Sequence, residues 1–189
     1  MIKTGFELQI IAPDHGPILR RESDIHSALN RYTAWSAQNP TMKAVLVYDT
    51  MWESTALMAR AIGEGLQDNG ASIKILPLGS AHRSDVATEI LEAGALVVGS
   101  PTLNNSLFPT VADVLTYLKG LRPKNLVGAA FGSYGWSGEG TREIEKILRE
   151  MKVEIAGETV NVQYVPDKDD LRNCYKLGKI IADKLKDKL

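Results

Sequence analysis

The sequence predicts a doubly wound α/β domain: a five-stranded parallel sheet in the order 2-1-3-4-5, with helices on both faces. Three observations point there. From Met42 onward, five strand-like apolar runs alternate with five helical patterns, the arrangement that builds parallel sheets. The first, third and fourth runs are near-continuously apolar, as strands covered on both faces are. Right-handed crossovers then leave few topologies.

The expected strands are Lys43–Tyr48, Ser72–Leu76, Ala95–Gly99, Leu126–Phe131 and Thr159–Val165. The expected helices are Ser54–Asn69, Ser84–Glu92, Phe108–Leu118, Gly140–Met151 and Lys168–Lys186. Gly70 stands where a helix-terminating glycine belongs. Pro109 lies near the start of its helix, where a missing N–H costs little. Residues 1–41 read differently. Phe6–Ile11 reads as a short strand, Ala12–Pro17 as a turn and Glu22–Ala37 as a helix with Ile25, Ala28, Leu29, Tyr32 and Trp35 at helical spacing. Asn39-Pro40-Thr41 reads as a linker. One strand and one helix cannot enclose a core, so this segment needs a docking surface. The expected division is residues 1–41 and 42–189.

Composition excludes several classes. Apolar residues make up 44% of the 189, and the formal net charge is -1. That balance gives no reason to expect a nucleic-acid or anionic-membrane surface. Runs such as Ala95–Val98 and Leu126–Phe131 are strand-sized, far short of the roughly 20 apolar residues of a membrane span. The first residues, Met-Ile-Lys-Thr-Gly-Phe-Glu, lack the apolar core of a signal peptide. Cys174 is the one cysteine, so no internal disulfide forms. The expectation is a reducing, cytoplasmic setting with Cys174 as a structural thiol.

Ligands of such sheets bind beyond the carboxyl ends of the strands, where the strand order reverses. Three segments meet there. Tyr48-Asp-Thr-Met-Trp-Glu-Ser-Thr55 runs from a buried strand into a hydroxyl-rich turn that opens a helix. Unpaired N–H groups and the positive end of the helix dipole suit an anion, most readily a phosphate. Thr50, Ser54 and Thr55 can add hydroxyl donors, and the turn carries no Lys or Arg. Gly99-Ser-Pro-Thr-Leu-Asn-Asn-Ser106 and Gly132-Ser-Tyr-Gly-Trp-Ser-Gly138 combine glycine, hydroxyl and amide groups with Tyr134 and Trp136. Glycines let backbone approach a flat ligand, and aromatic rings stack on one. Together the three segments suit a small phosphorylated aromatic molecule.

These residues resemble the flavodoxin family, which binds FMN with three such loops, over about residues 42–187. The more detailed resemblance is to the flavodoxin-like domain of flavodiiron proteins. It rests on Thr-Met-Trp-Glu-Ser-Thr, Gly-Ser-Pro-Thr-Leu-Asn and Gly-Ser-Tyr-Gly-Trp-Ser-Gly, with Ile-Ala-Pro-Asp-His-Gly-Pro-Ile-Leu-Arg at 11–20. That last stretch looks like the end of the metallo-β-lactamase-like domain that precedes the flavodoxin domain in that family. The resemblance implies a flavodoxin-like fold with FMN as cofactor. Thr50, Met51, Trp52, Ser54 and Thr55 would surround the phosphate. Pro101, Thr102, Leu103 and Asn104 would line the isoalloxazine ring, and Ser133, Tyr134, Gly135, Trp136 and Gly138 would close its other side. Ordinary flavodoxins carry Gly-Asn where this chain has Glu53-Ser54, and a carboxylate beside a phosphate is unfavourable, so Glu53 is left out.

His15 matches a family iron ligand. A di-iron site needs several His and carboxylate ligands, and this sequence offers only His15, His26 and His82. The expectation is therefore no metal, and a chain that looks like the C-terminal part of a flavodiiron protein, from a split or shortened gene or a longer parent. The implied role is electron transfer from a reductase or rubredoxin-like donor to a di-iron, oxygen- or nitric-oxide-reducing acceptor. No base, nucleophile or triad converges on the three loops, so the chemistry falls to the cofactor. Without Lys or Arg nearby, a negatively charged reduced flavin gains little stabilisation, which predicts a low potential for the second electron. Competing readings are an NAD(P)H-dependent FMN or quinone reductase on the same fold and a cofactor-free receiver-type signalling domain. The latter needs an acidic cluster, and Asp49 alone does not make one. Tyr32 and Trp35 on the first helix suggest an apolar face seeking a partner, and a homodimer is the preferred arrangement.

Overall fold

The computed structural model describes residues 8–189 and divides into two units, one ending at Ala37 and one spanning Gln38–Leu189. In the first unit, Ile11 and Leu19 form an isolated antiparallel bridge, with N···O distances of 3.0 and 2.9 Å, around the Pro-rich turn. Helix α1 follows at Glu22–Ala37. The expected strand Phe6–Ile11 lies partly outside the described residues; of its remainder only Ile11 pairs. Ile25 is the buried residue of α1, while Tyr32 is exposed and meets Trp35 edge-to-face at 5.9 Å.

The linker residues belong to the second unit. Gln38 donates from Nε2 to the Ile90 carbonyl, and its Oε1 accepts the Lys124 amide at 2.7 Å. The Thr41 hydroxyl donates to the Glu92 carbonyl at 2.7 Å. From there the order is β1 Lys43–Tyr48, α2 Ser54–Asp68, β2 Ser72–Pro77, α3 Arg83–Ile90, β3 Ala95–Leu103, β4 Ser106–Leu107, α4 Pro109–Leu121, β5 Val127–Tyr134, α5 Glu139–Glu150, β6 Glu154–Ile155, β7 Val160–Gln163 and α6 Lys168–Lys186.

The sheet runs β2-β1-β3-β5-β6, with β7 also on β5 and β4 on β3. The expected order 2-1-3-4-5 therefore holds for the main strands, with two corrections. The expected fifth strand, Thr159–Val165, is shorter, and a second piece shares its edge: β6 pairs with Val127 and Gly128, and β7 with Phe131 through Tyr134. Gly157 turns the chain between them at φ 70°. The sheet is also not wholly parallel, because β4 folds back antiparallel on β3.

Alternate residues of each strand face opposite ways, and two cores result. Ala44, Leu46, Tyr48, Ala95, Val97, Ala129 and Phe131 pack beneath α2 and α6. Val45, Val47, Leu96, Val98 and Ala130 pack beneath α3, α4 and α5. Each fully buried Leu or Ile contributes roughly 1.5–3 kcal/mol relative to exposure. Gly65 and Gly178 let α2 and α6 approach closely: a Cβ on Gly65 would stand 2.0 Å from the Tyr175 carbonyl oxygen. Cys174 faces this packed layer, and burial pushes its thiol up to about 12.

Candidate functional site

Register places the site. Tyr48 pairs with Gly99, Gly99 with Phe131, and Tyr134 with Gln163. The segments after β1, β3, β5 and β7 therefore leave the sheet at one edge. They enclose a cleft of about 710 Å³, within the range of sites for small molecules and cofactors.

From the first loop, Met51, Trp52 and Ser54 line the cleft. Trp52 is 87% exposed. Glu53 ends the turn in the left-handed region at φ 63° and supplies no side-chain cap to α2, so no capping side chain competes with a ligand there. Below the loop, the Asp49 carboxylate accepts the Thr50 amide at 2.7 Å and the Thr110 hydroxyl at 2.5 Å. Thr50 and Thr55 do not line the cleft. Thr55 is fully buried, and its hydroxyl lies 3.3 Å from that of Ser133, tying α2 to β5. Thr50 Oγ1 is buried and has no hydrogen-bond partner among the described residues. A buried hydroxyl left unpaired costs about 1–3 kcal/mol, and a phosphate oxygen at this turn would satisfy it.

From the second segment, Pro101, Thr102, Leu103 and Asn104 all line the cleft, joined by Asn105. This stretch is not the free loop that the sequence suggested. β3 continues to Leu103, and Asn104 and Asn105 form a two-residue hairpin with φ of 51° and 58°. Two-residue hairpins of the type I′ kind need positive φ at both central residues, and Asn tolerates it. Glu143 on α5 holds the hairpin down: its Oε2 accepts the Ser106 hydroxyl at 2.7 Å and the Leu107 amide at 3.2 Å. Ser100, wholly buried, accepts the Phe108 amide at 2.8 Å at the hairpin's base.

From the third segment, Ser133, Tyr134, Gly135 and Trp136 line the cleft, with Ser137 in addition; Trp136 is 94% exposed. Gly138 does not line it. A Cβ there would fall 1.9 Å from Asn161 Nδ2, and its carbonyl accepts from Thr141 and Arg142. It serves packing at the start of α5. A hydrogen bond from Ser137 holds the Glu139 carboxyl below its usual range, and among the described residues Glu139 Oε2 is the other buried side-chain oxygen without a hydrogen-bond partner.

A fourth segment went unread in the sequence: Tyr164 and Val165, after β7, also line the cleft. The same strand-edge rule that marked three loops marks this one. None of the lining residues is Lys, Arg, His, Asp or Glu. Among the described residues, no three His, Cys, Asp or Glu side chains stand close enough to hold a metal ion, and no helix is long and apolar enough to cross a membrane.

A strand–turn–helix turn beside an uncharged, aromatic-rimmed cleft suits a phosphorylated flat cofactor. The family model described as flavodoxin matches residues 46–178. The chain belongs to the flavodoxin family. Within it, this is the flavodoxin-like domain of the flavodiiron type, and FMN is its cofactor. A nitric oxide reductase of Moorella thermoacetica is 44% identical, over 98% of this chain and 46% of that protein. The structure of the rubredoxin oxygen:oxidoreductase from Desulfovibrio gigas superposes with a TM-score of 0.95 at 41% identity, covering 99% of this chain and 47% of that one. An archaeal flavodoxin superposes at 0.69 and 32% identity, covering 76% of this chain and 99% of that one. The chain spans about half the length of the curated relatives it matches.

Proposed function

We propose that this chain relays electrons through FMN from a reductase or rubredoxin-like donor to a di-iron centre that reduces oxygen or nitric oxide. The observation that carries this is the cleft's chemistry: no Asp, Glu, His, Lys or Cys lines it to activate its Ser and Thr hydroxyls, while Trp52 and Trp136 stand almost wholly exposed at its rim. The protein's part is then binding and tuning. Bound FMN would supply the ability to take up two electrons and release them singly.

Thr50, Met51, Trp52 and Ser54 are assigned to the phosphate end, with Thr50 donating from its hydroxyl, and Thr55 beneath them to tying α2 to β5. Pro101 to Asn104 and Ser133 to Trp136 are assigned to the ring, and Gly138 to shaping the third loop. The uncharged lining favours a low potential for the second electron, since no cation offsets the added charge. The reading includes a cytoplasmic setting, supported by the single buried thiol, a second copy of the chain as partner, and an origin of the first 41 residues at the end of a metallo-β-lactamase-like domain.

The test is anaerobic mixing of FMN-loaded protein with reduced rubredoxin, and separately with NADH or NADPH. Fast flavin reduction by rubredoxin with negligible steady-state nicotinamide oxidation is expected. Sustained NAD(P)H turnover by the protein alone would replace this reading with a flavin or quinone reductase.

A further inference from the structure

We infer that Tyr164 is a flavin-contacting residue, a fourth wall of the cleft held in a strained backbone conformation; the inference rests on the FMN reading above. Eight described residues other than glycine have positive φ, and Tyr164, at 63°, is the one aromatic among them. A bulky side chain rarely adopts this region, and such outliers gather at functional sites. The conformation is pinned from both sides. The Tyr164 amide donates to the Tyr134 carbonyl at 2.8 Å, and Gln163 Nε2 donates to the Gly135 carbonyl at 2.9 Å. Three residues on, Asp167 caps α6 by accepting the Asp169 and Asp170 amides.

This clasp fastens the segment to the third loop and turns the Tyr164 ring over Gly135, within 3.8 Å of where a Cβ there would sit. The ring packs against little else, since the residue is 62% exposed. A turn alone would be served better by Asn or Gly, which adopt positive φ at lower cost. An exposed aromatic kept there gains its value from something placed in the cleft, and a flat ring system is the chemistry it fits.

Three proteins test this: wild type, Tyr164→Asn, which keeps a residue tolerant of this φ but loses the ring, and Tyr164→Phe, which keeps the ring. FMN dissociation constants, bound-flavin fluorescence and apoprotein thermal midpoints are measured for each. The expected result is a loss of roughly fivefold to tenfold in FMN affinity for Tyr164→Asn, the scale of one aromatic contact. Its flavin fluorescence should be less quenched, its apoprotein midpoint equal to or above wild type, and Tyr164→Phe within about twofold of wild type on the same scale. Wild-type affinity in Tyr164→Asn would overturn the inference and leave the FMN reading standing. So would a lowered apoprotein midpoint in Tyr164→Asn, because it would make the residue a structural one. Failure of wild type itself to bind FMN would overturn both.

Discussion

The Thr110 hydroxyl donates to Asp49 Oδ2 at 2.5 Å, while Asp49 Oδ1 accepts the Thr50 amide at 2.7 Å. Helix α4 is thus linked to the first loop through one buried carboxylate. Thr110→Val removes a partner without changing shape and leaves Asp49 half satisfied. The expected cost is about 1–3 kcal/mol, read by urea unfolding, with weaker FMN binding; Thr110→Ser should restore both. An unchanged unfolding midpoint in the valine variant would mean the link is incidental.

The two ends of the cleft should separate by ligand. Thr50→Val removes a buried hydroxyl that no group among the described residues pairs with, so the apoprotein should be at least as stable as wild type. FMN affinity should fall by about tenfold or more, the value of a hydrogen bond to a charged group, and riboflavin affinity should not. Glu143→Ala frees the Asn104–Asn105 hairpin from α5 and should weaken FMN and riboflavin equally. Isothermal titration with both ligands measures this.

Packing of α2 on α6 depends on two glycines. Gly65→Ala would gain about 1 kcal/mol of helix propensity. Its Cβ would sit 2.0 Å from a carbonyl oxygen, and that of Gly178→Ala 2.2 Å from the Ile62 carbonyl oxygen. Overpacking costs about 1–3 kcal/mol or more, so both variants should lose stability, with thermal midpoints lower by several degrees.

Acid should weaken one surface cluster. Hydrogen bonds from Lys184 and Lys188 lower the Glu154 carboxyl from 4.5 to about 2. A carboxylate whose folded value is depressed stabilises the protein above its unfolded value, and that stability is lost as the pH falls from about 4.5 towards 2. The carboxylate is nearly half exposed, so the amount is small, at most about 1 kcal/mol. Glu154→Gln should flatten the acid limb of the stability curve, and added salt should do the same in wild type.

Much of this was legible in the sequence, for local reasons. β1 and α6 begin and end where the pattern placed them, because the apolar run Ala44–Val47 is unbroken and Asp167 with Asp170 makes a capping box. β3 and β5 outran their expected ends because pairing continues past the apolar stretch, with Ser100 on Gly132 and Pro101 on Ser133. Polar strand residues at a ligand edge look like loop. Asn104-Asn105 was a hairpin signal between Leu103 and Ser106 that the loop reading hid. Tyr164 and Val165 were reachable by the strand-edge rule but carry no glycine-rich motif. Orientation was beyond reach: Thr55 turns inward to Ser133 and Gly138 serves packing, although both lie in motifs that otherwise face the cleft.

We place FMN in this cleft with its phosphate at the first loop, above the Thr50 hydroxyl, and its ring beside Trp136 and Tyr164. Titrating the apoprotein with FMN, while following flavin fluorescence, tests it most directly. Saturation at one flavin per chain with strongly quenched emission is expected, with a shallower curve for Thr50→Val. Flavin that stays bright and washes away, or a Thr50→Val titration identical to wild type, would contradict it.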